Sequence, residues 1–174
     1  MMMVALLIVP IKDKIMGLDI SVYENLKLVK CPTEDEKDYL FHIYTGFPEQ
    51  LDDIIDGSYY QYDYNEDLSF RAGSYGGYNY WRNQLAELAG YDSANFVWDE
   101  NNDLGKKRYF VELINFSDCE GVIGPKTSEK LYKDFIQFDN RAKEIDEIFY
   151  NIYYCFKDAF YYAYRKKVVW YFIN

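Results

Sequence analysis

Histidine occurs once in the 174 residues, at His42, and cysteine three times, at Cys31, Cys119 and Cys155. One imidazole cannot build a histidine-rich zinc centre, and base catalysis would also need a placed partner for it. The cysteines stand in no CxxC spacing, so no metal-thiolate or redox pair is legible. A scattered, odd-numbered set suits a reducing cytoplasm better than a disulfide framework. The phosphate-loop pattern GxxxxGK[ST], the dinucleotide fingerprint GxGxxG and the nucleophile elbow GxSxG are all missing. Gly73-Ser74-Tyr75-Gly76 lacks the elbow spacing. Long apolar runs are missing too. Met1–Pro10, MMMVALLIVP, has no basic flank and is far too short to cross a bilayer, so neither a secretory signal nor a membrane anchor is expected.

A basic excess is also lacking. Nineteen Lys and Arg face 29 Asp and Glu, a net charge of −10. Eleven of the acids lie between Thr33 and Asp67 (Glu34, Asp35, Glu36, Asp38, Glu49, Asp52, Asp53, Asp56, Asp63, Glu66, Asp67), with Lys37 as the one base there. The remaining 18 acids are balanced by 18 bases, so the charge forms one acidic flank on a neutral body. Such a flank repels phosphates, which disfavours direct nucleic-acid binding, and it attracts basic proteins or divalent cations.

Aromatics are abundant: 20 Tyr and 12 Phe, within a chain that is 49% hydrophobic. That composition excludes disorder and supplies rings that can be half-buried with a wet hydroxyl. The length fits one domain with its own core. A second start at Met16 opens a clean alternation of Leu18, Ile20 and Val22, a half-buried strand. Residues 1–15 therefore read as a non-core extension and 16–174 as the domain.

Further on, Leu68–Ala72 alternates as a strand, and Gly73–Gly77 is a turn. A helix then runs to about Ala89, with Trp81, Leu85 and Leu88 as its stripe and Gly90 as its left-handed stop. Asn79 or Gly77 is its expected cap. Tyr109–Phe116, YFVELINF, reads as a buried central strand. Thr127 or Ser128 is expected to cap the next helix. A long one follows, striped by Ile145, Ile148, Phe149, Ile152, Phe156, Ala159, Phe160 and Ala163, before a last strand from Val168 to Ile173. The expected fold is α+β, a mainly antiparallel sheet with about three helices, the long C-terminal one packed on the sheet.

Two polar stretches sit where strands are expected to end, the position favoured for sites on mixed scaffolds. One holds Arg71, Ser74, Tyr75, Gly76, Gly77, Tyr78, Asn79 and Arg82. The other holds Asn115, Ser117, Asp118, Cys119, Glu120 and Gly121. A glycine turn opening a helix, with an arginine beside it, suits an anion such as a nucleotide or phosphorylated metabolite. Tyr75, Tyr78 and Trp81 would wall it, and Arg71 is expected to meet Asp118 or Glu120. Flanking carboxylates disfavour a thiolate at Cys119. Asp118 and Glu120 could hold Mg²⁺ or Ca²⁺, though such sites generally need more oxygen ligands.

MGLDISVYENLKLV, FRAGSYGGYNYWRNQLAELAG and ELINFSDCEGVIGPKTSEKLYKDF resemble a family of uncharacterised proteins of bacteriophages, prophages and their bacterial hosts. The resemblance runs from Met16 to the C-terminus. It implies the cytoplasm of a host cell and no particular reaction, cofactor or catalytic residue. Three functions are thus expected in order: a binding module for a small anion; an acidic module blocking a basic host protein through the flank and Tyr59–Tyr64; and a metal-assisted enzyme using Asp118 and Glu120.

Overall fold

A computed structural model describes residues 17–64, 66–105, 108–118, 121–166 and 169–173. The expected extension, residues 1–15, lies outside the described residues. The sheet is built on β1 (Leu18–Val29), whose Leu18, Ile20 and Val22 are buried on one face. Asn25 takes a left-handed φ of 60°, and the strand bulges between Glu24 and Lys27. The single turn α1 (Glu34–Lys37) and the short β2 (Phe41–His42) precede β3 (Tyr59–Tyr64) and β4 (Phe70–Gly73). Next come α2 (Tyr75–Ala89), α3 (Ala94–Trp98), α4 (Val111–Ile114), β5 (Gly121–Ile123), α5 (Pro125–Ala142), α6 (Glu147–Lys166) and β6 (Val169–Ile173). The strand order is β2-β3-β1-β6-β5, with β4 paired to β1 beyond the end of β3, and every pairing is antiparallel. The α+β class is therefore as expected. The described residues carry three long helices plus three of four or five residues, rather than about three in all.

The long helices cover the Leu18–Ile20–Val22 face. Tyr78, Trp81, Leu85 and Leu88 of α2 meet Leu131, Phe135 and Phe138 of α5 and Phe149, Tyr153, Phe156 and Phe160 of α6. Each such ring, taken from water, contributes roughly 1.5–3 kcal/mol. Two of their polar atoms are matched, Trp81 Nε1 donating to the Phe149 carbonyl at 3.2 Å and the Tyr153 hydroxyl to the Phe135 carbonyl at 2.6 Å, while the buried Tyr78 hydroxyl has no hydrogen-bond partner among the described residues. A smaller core on the other sheet face gathers Tyr23, Leu26, Phe41, Ile43, Leu51, Tyr60 and Val122. Ile145 precedes α6 and Ile148 is exposed, so the helical stripe begins at Phe149.

The largest departure is at Tyr109–Phe116, which forms the single-turn α4 and its flanking turns rather than a strand. Val111, Leu113 and Ile114 are buried on several sides, a pattern that a buried strand and a wedged helix turn share. Phe110, fully buried, takes φ 57°, an uncommon conformation for a bulky residue, and its N–H donates to Asp134 at 2.9 Å. Ser74, not Asn79 or Gly77, caps α2 by accepting from the Gly77 N–H, and Gly90 closes the helix with φ 95°. α5 starts at Pro125, ahead of Thr127 and Ser128. Its cap comes from a distant residue. Asp52 accepts from the Lys126 and Thr127 N–H groups at 2.6 and 3.2 Å.

Candidate functional site

The two polar stretches do meet, through different residues from those expected. Arg71 does not pair with Asp118. It sits opposite Asp19 in the β1–β4 ladder and bonds both its carboxylate oxygens at 3.3 Å, both groups being exposed. The residues that reach Asp118 are Asn79 and Arg82, which lie three apart and so share one face of α2. Asn79 Nδ2 donates to Asp118 at 3.0 Å, and the Arg82 guanidinium lies 3.7 Å from the same carboxylate. Arg82 also bonds the Asn79 side-chain oxygen and donates to the backbone carbonyls of Ile114 and Phe116. Its cation lies 4.8 Å from the Tyr78 ring centroid and 5.2 Å from that of Trp98. The Arg82 side chain is only 6% exposed. It clamps the 114–118 segment to α2, and its charge is spent on internal acceptors.

The remaining candidates divide by position. Tyr78 and Trp81 are core residues, so they do not wall a pocket, and burial pushes the Tyr78 phenol far above its usual range. Ser74, Gly76 and Gly77 are exposed in the cap and first turn of α2, where Tyr75 is half-buried. Asn115, Ser117 and Asp118 are half-buried beside that turn, and Gly121 is buried at the start of β5. Cys119 and Glu120 lie outside the described residues. The Asp118 carboxylate is committed to Asn79 and Arg82. Among the described residues no three His, Cys, Asp or Glu side chains gather as metal ligands. No described helix is long and apolar enough to cross a membrane. A shallow groove of about 340 Å³, lined by Gln84, Glu87, Leu88, Arg141, Glu144 and Ile145, lies toward the other end of α2.

No family model, curated protein or solved structure matches the chain.

The acidic flank has its own architecture. Several of its carboxylates serve the fold: Asp52 caps α5, Asp53 pairs with Lys126, Asp63 accepts from Asn25, and Glu36 closes a capping box with Thr33. Others, Asp35, Asp38, Glu49, Asp56 and Asp67, are exposed. Large apolar side chains are exposed among them, with Tyr39 at 75%, Tyr44 at 59% and Ile55 at 53%. The sheet pairing explains the surface. Residues opposed in a ladder share a face, and Glu24 faces Asp63 while His42 faces Tyr59. Glu24 is two residues from Val22, and its carboxylate accepts from the Tyr162 hydroxyl of α6. His42, Tyr59, Gln61 and Asp63 therefore lie on the helix-bearing side of the sheet, at the β2–β3 end. The alternation of Phe41 and Ile43 inward with His42 and Tyr44 outward was the sequence signal for this strip.

Proposed function

We propose that the chain is a protein-interaction module that engages a basic partner through the acidic, aromatic strip at the β2–β3 end of its sheet. The observation that carries this reading is the exposure of Tyr39 and Tyr44 near the exposed carboxylates Asp35, Asp38 and Asp56, which cap or pair with nothing among the described residues. Exposed aromatics surrounded by charge supply both contact area and partner choice. The resemblance to phage and prophage proteins points to a basic host protein met in the host cytoplasm. Capture of a basic host protein by the purified chain should weaken steeply between about 0.1 M and about 1 M salt, as the screening length falls from about 10 Å to about 3 Å. It should also be lost when Asp35, Asp38 and Asp56 become Asn and Tyr44 becomes Ala, with the circular dichroism unchanged. Undiminished capture by that variant at any salt would rule the strip out.

One observation favours a second reading, the small anion. The first turn of α2 carries no acidic side chain, Gly76 faces open space, and the exposed Arg71, paired with Asp19, stands three residues before the Ser74 cap. A thermal-shift series with nucleotides and sugar phosphates tests it. A shift that survives Arg71→Ala unchanged places any such ligand elsewhere.

A further inference from the structure

Lys37 is the one base in the acidic flank, and it is seated in a specific way. Its Nζ lies 2.6 Å from the Glu34 carboxylate and 5.5 Å from the centroid of the Tyr59 ring. Tyr59 is itself stacked on the exposed His42, with ring centroids 4.4 Å apart and planes 16° from parallel. The ladder pairing of His42 with Tyr59 fixes both rings on the same side of the sheet. The seat is thus a phenol face fixed by a strand pair, with the Glu34 carboxylate reaching the same ammonium from α1. That combination recognises an organic cation through the ring quadrupole and the charge together.

The present occupant is weakly held. α1 has four residues, none of them buried, and is kept in shape by the Thr33–Glu36 capping box. The Lys37 ammonium is held by one exposed ion pair within that turn, a contact that contributes little, so its flexible stem can swing away while Glu34 stays in place. Its ammonium is a compact charge, whereas a guanidinium can lie flat on the ring and bond the carboxylate with two N–H groups. An arginine brought by another protein would therefore make the better occupant of the same seat.

We propose that the Tyr59–Glu34 seat is the docking point for an arginine side chain of the basic protein partner, and that Lys37 is an internal stand-in which the arginine displaces. This rests on the reading of the strip as an interaction surface. It adds a place, a chemical preference and a built-in competitor.

The test is a double-mutant cycle on Lys37 and Tyr59, read by calorimetric titration with hexa-arginine, hexalysine and spermine. Lys37→Ala empties the seat and should tighten hexa-arginine binding about 2- to 5-fold, the range of an exposed cation–π contact. Tyr59→Leu should abolish that gain when combined with Lys37→Ala, and hexalysine should gain less than hexa-arginine. A gain that persists without the ring is a simple effect of removing one positive charge, and it would overturn the seat while leaving the acidic strip standing. Spermine binding with the same Tyr59 dependence as hexa-arginine would overturn the assignment to a protein side chain. Absence of hexa-arginine binding in every variant would sink the strip itself, and the seat with it.

Discussion

At the scale of single residues the strongest commitment is Arg82. Its charge is out of water, and that cost is offset by the Asp118 and Asn79 side chains, two backbone carbonyls and two aromatic faces, with the buried Nε left without a hydrogen-bond partner among the described residues. Removing one member of such a cluster strands the others. Arg82→Met should lower the unfolding free energy by about 3 kcal/mol in a urea titration, and a loss below about 1 kcal/mol would show that the clamp is dispensable. Asp139 offers a case with a pH signature. Burial raises its carboxyl, but hydrogen bonds from Lys143, Lys157 and Tyr150 outweigh burial, and the net shift is downward. A folded value below the unfolded one stabilises the protein above about pH 4 and loses that stabilisation as the pH falls through the folded value. Asp139→Asn should cost about 1 kcal/mol at pH 7, after allowance for solvent screening, and progressively less in acid. An equal cost at pH 7 and pH 2 would mean that charge has no part in it. That Arg82 and Asp118 belong near each other was legible in the sequence only as two polar stretches that should meet. Which arginine makes the contact was not, because the choice depends on strand register, and register gives Arg71 to Asp19.

Among the elements, those with a long period were legible and those of one turn were not. The alternation Leu18–Ile20–Val22 and the stripes of α2, α5 and α6 are each repeated often enough to set a phase. Val111–Ile114 has no phase, since it is too short and apolar throughout, and a helical turn among other helices buries it as well as a sheet would. α5 shows a different limit. Pro125 marks its start plainly enough, but the cap is Asp52, which lies more than seventy residues earlier in the chain and reaches two N–H groups of the first turn. The fit is close: a Cβ built on Gly124 would collide with that carboxylate and lie 2.6 Å from the Leu51 carbonyl oxygen. Asp52→Ala should therefore cost about 1–2 kcal/mol, as losing an N-cap does, and Gly124→Ala should destabilise through the same contact. Both are read by thermal unfolding. If Asp52→Ala left the midpoint in place, the helix would be capped adequately without it.

Across the whole molecule the question is why one flank holds all the net charge. Two cores sit on opposite faces of one sheet, and neither needs Asp35, Asp38 or Asp56, which are exposed on the β2–β3 side. Carboxylates crowded on a surface repel one another, so a flank kept for stability alone would be built with more bases than Lys37. The acids therefore fall into two kinds that an experiment can separate. Asp52 belongs to the fold, and its loss should lower the unfolding free energy by about 1–2 kcal/mol. The triple change of Asp35, Asp38 and Asp56 to Asn removes exposed surface charge and should leave stability within about 0.5 kcal/mol per site, or raise it. Any rise should shrink at high salt, where wild-type repulsion is already screened. Combined with Tyr44→Ala, these three changes should abolish capture of a basic partner, so retained stability of the triple variant with lost binding by the quadruple one would mark these residues as an interaction surface. A stability loss as large as that of Asp52→Ala would instead make them part of a structural network, and the strip would then have no acids to spare for a partner.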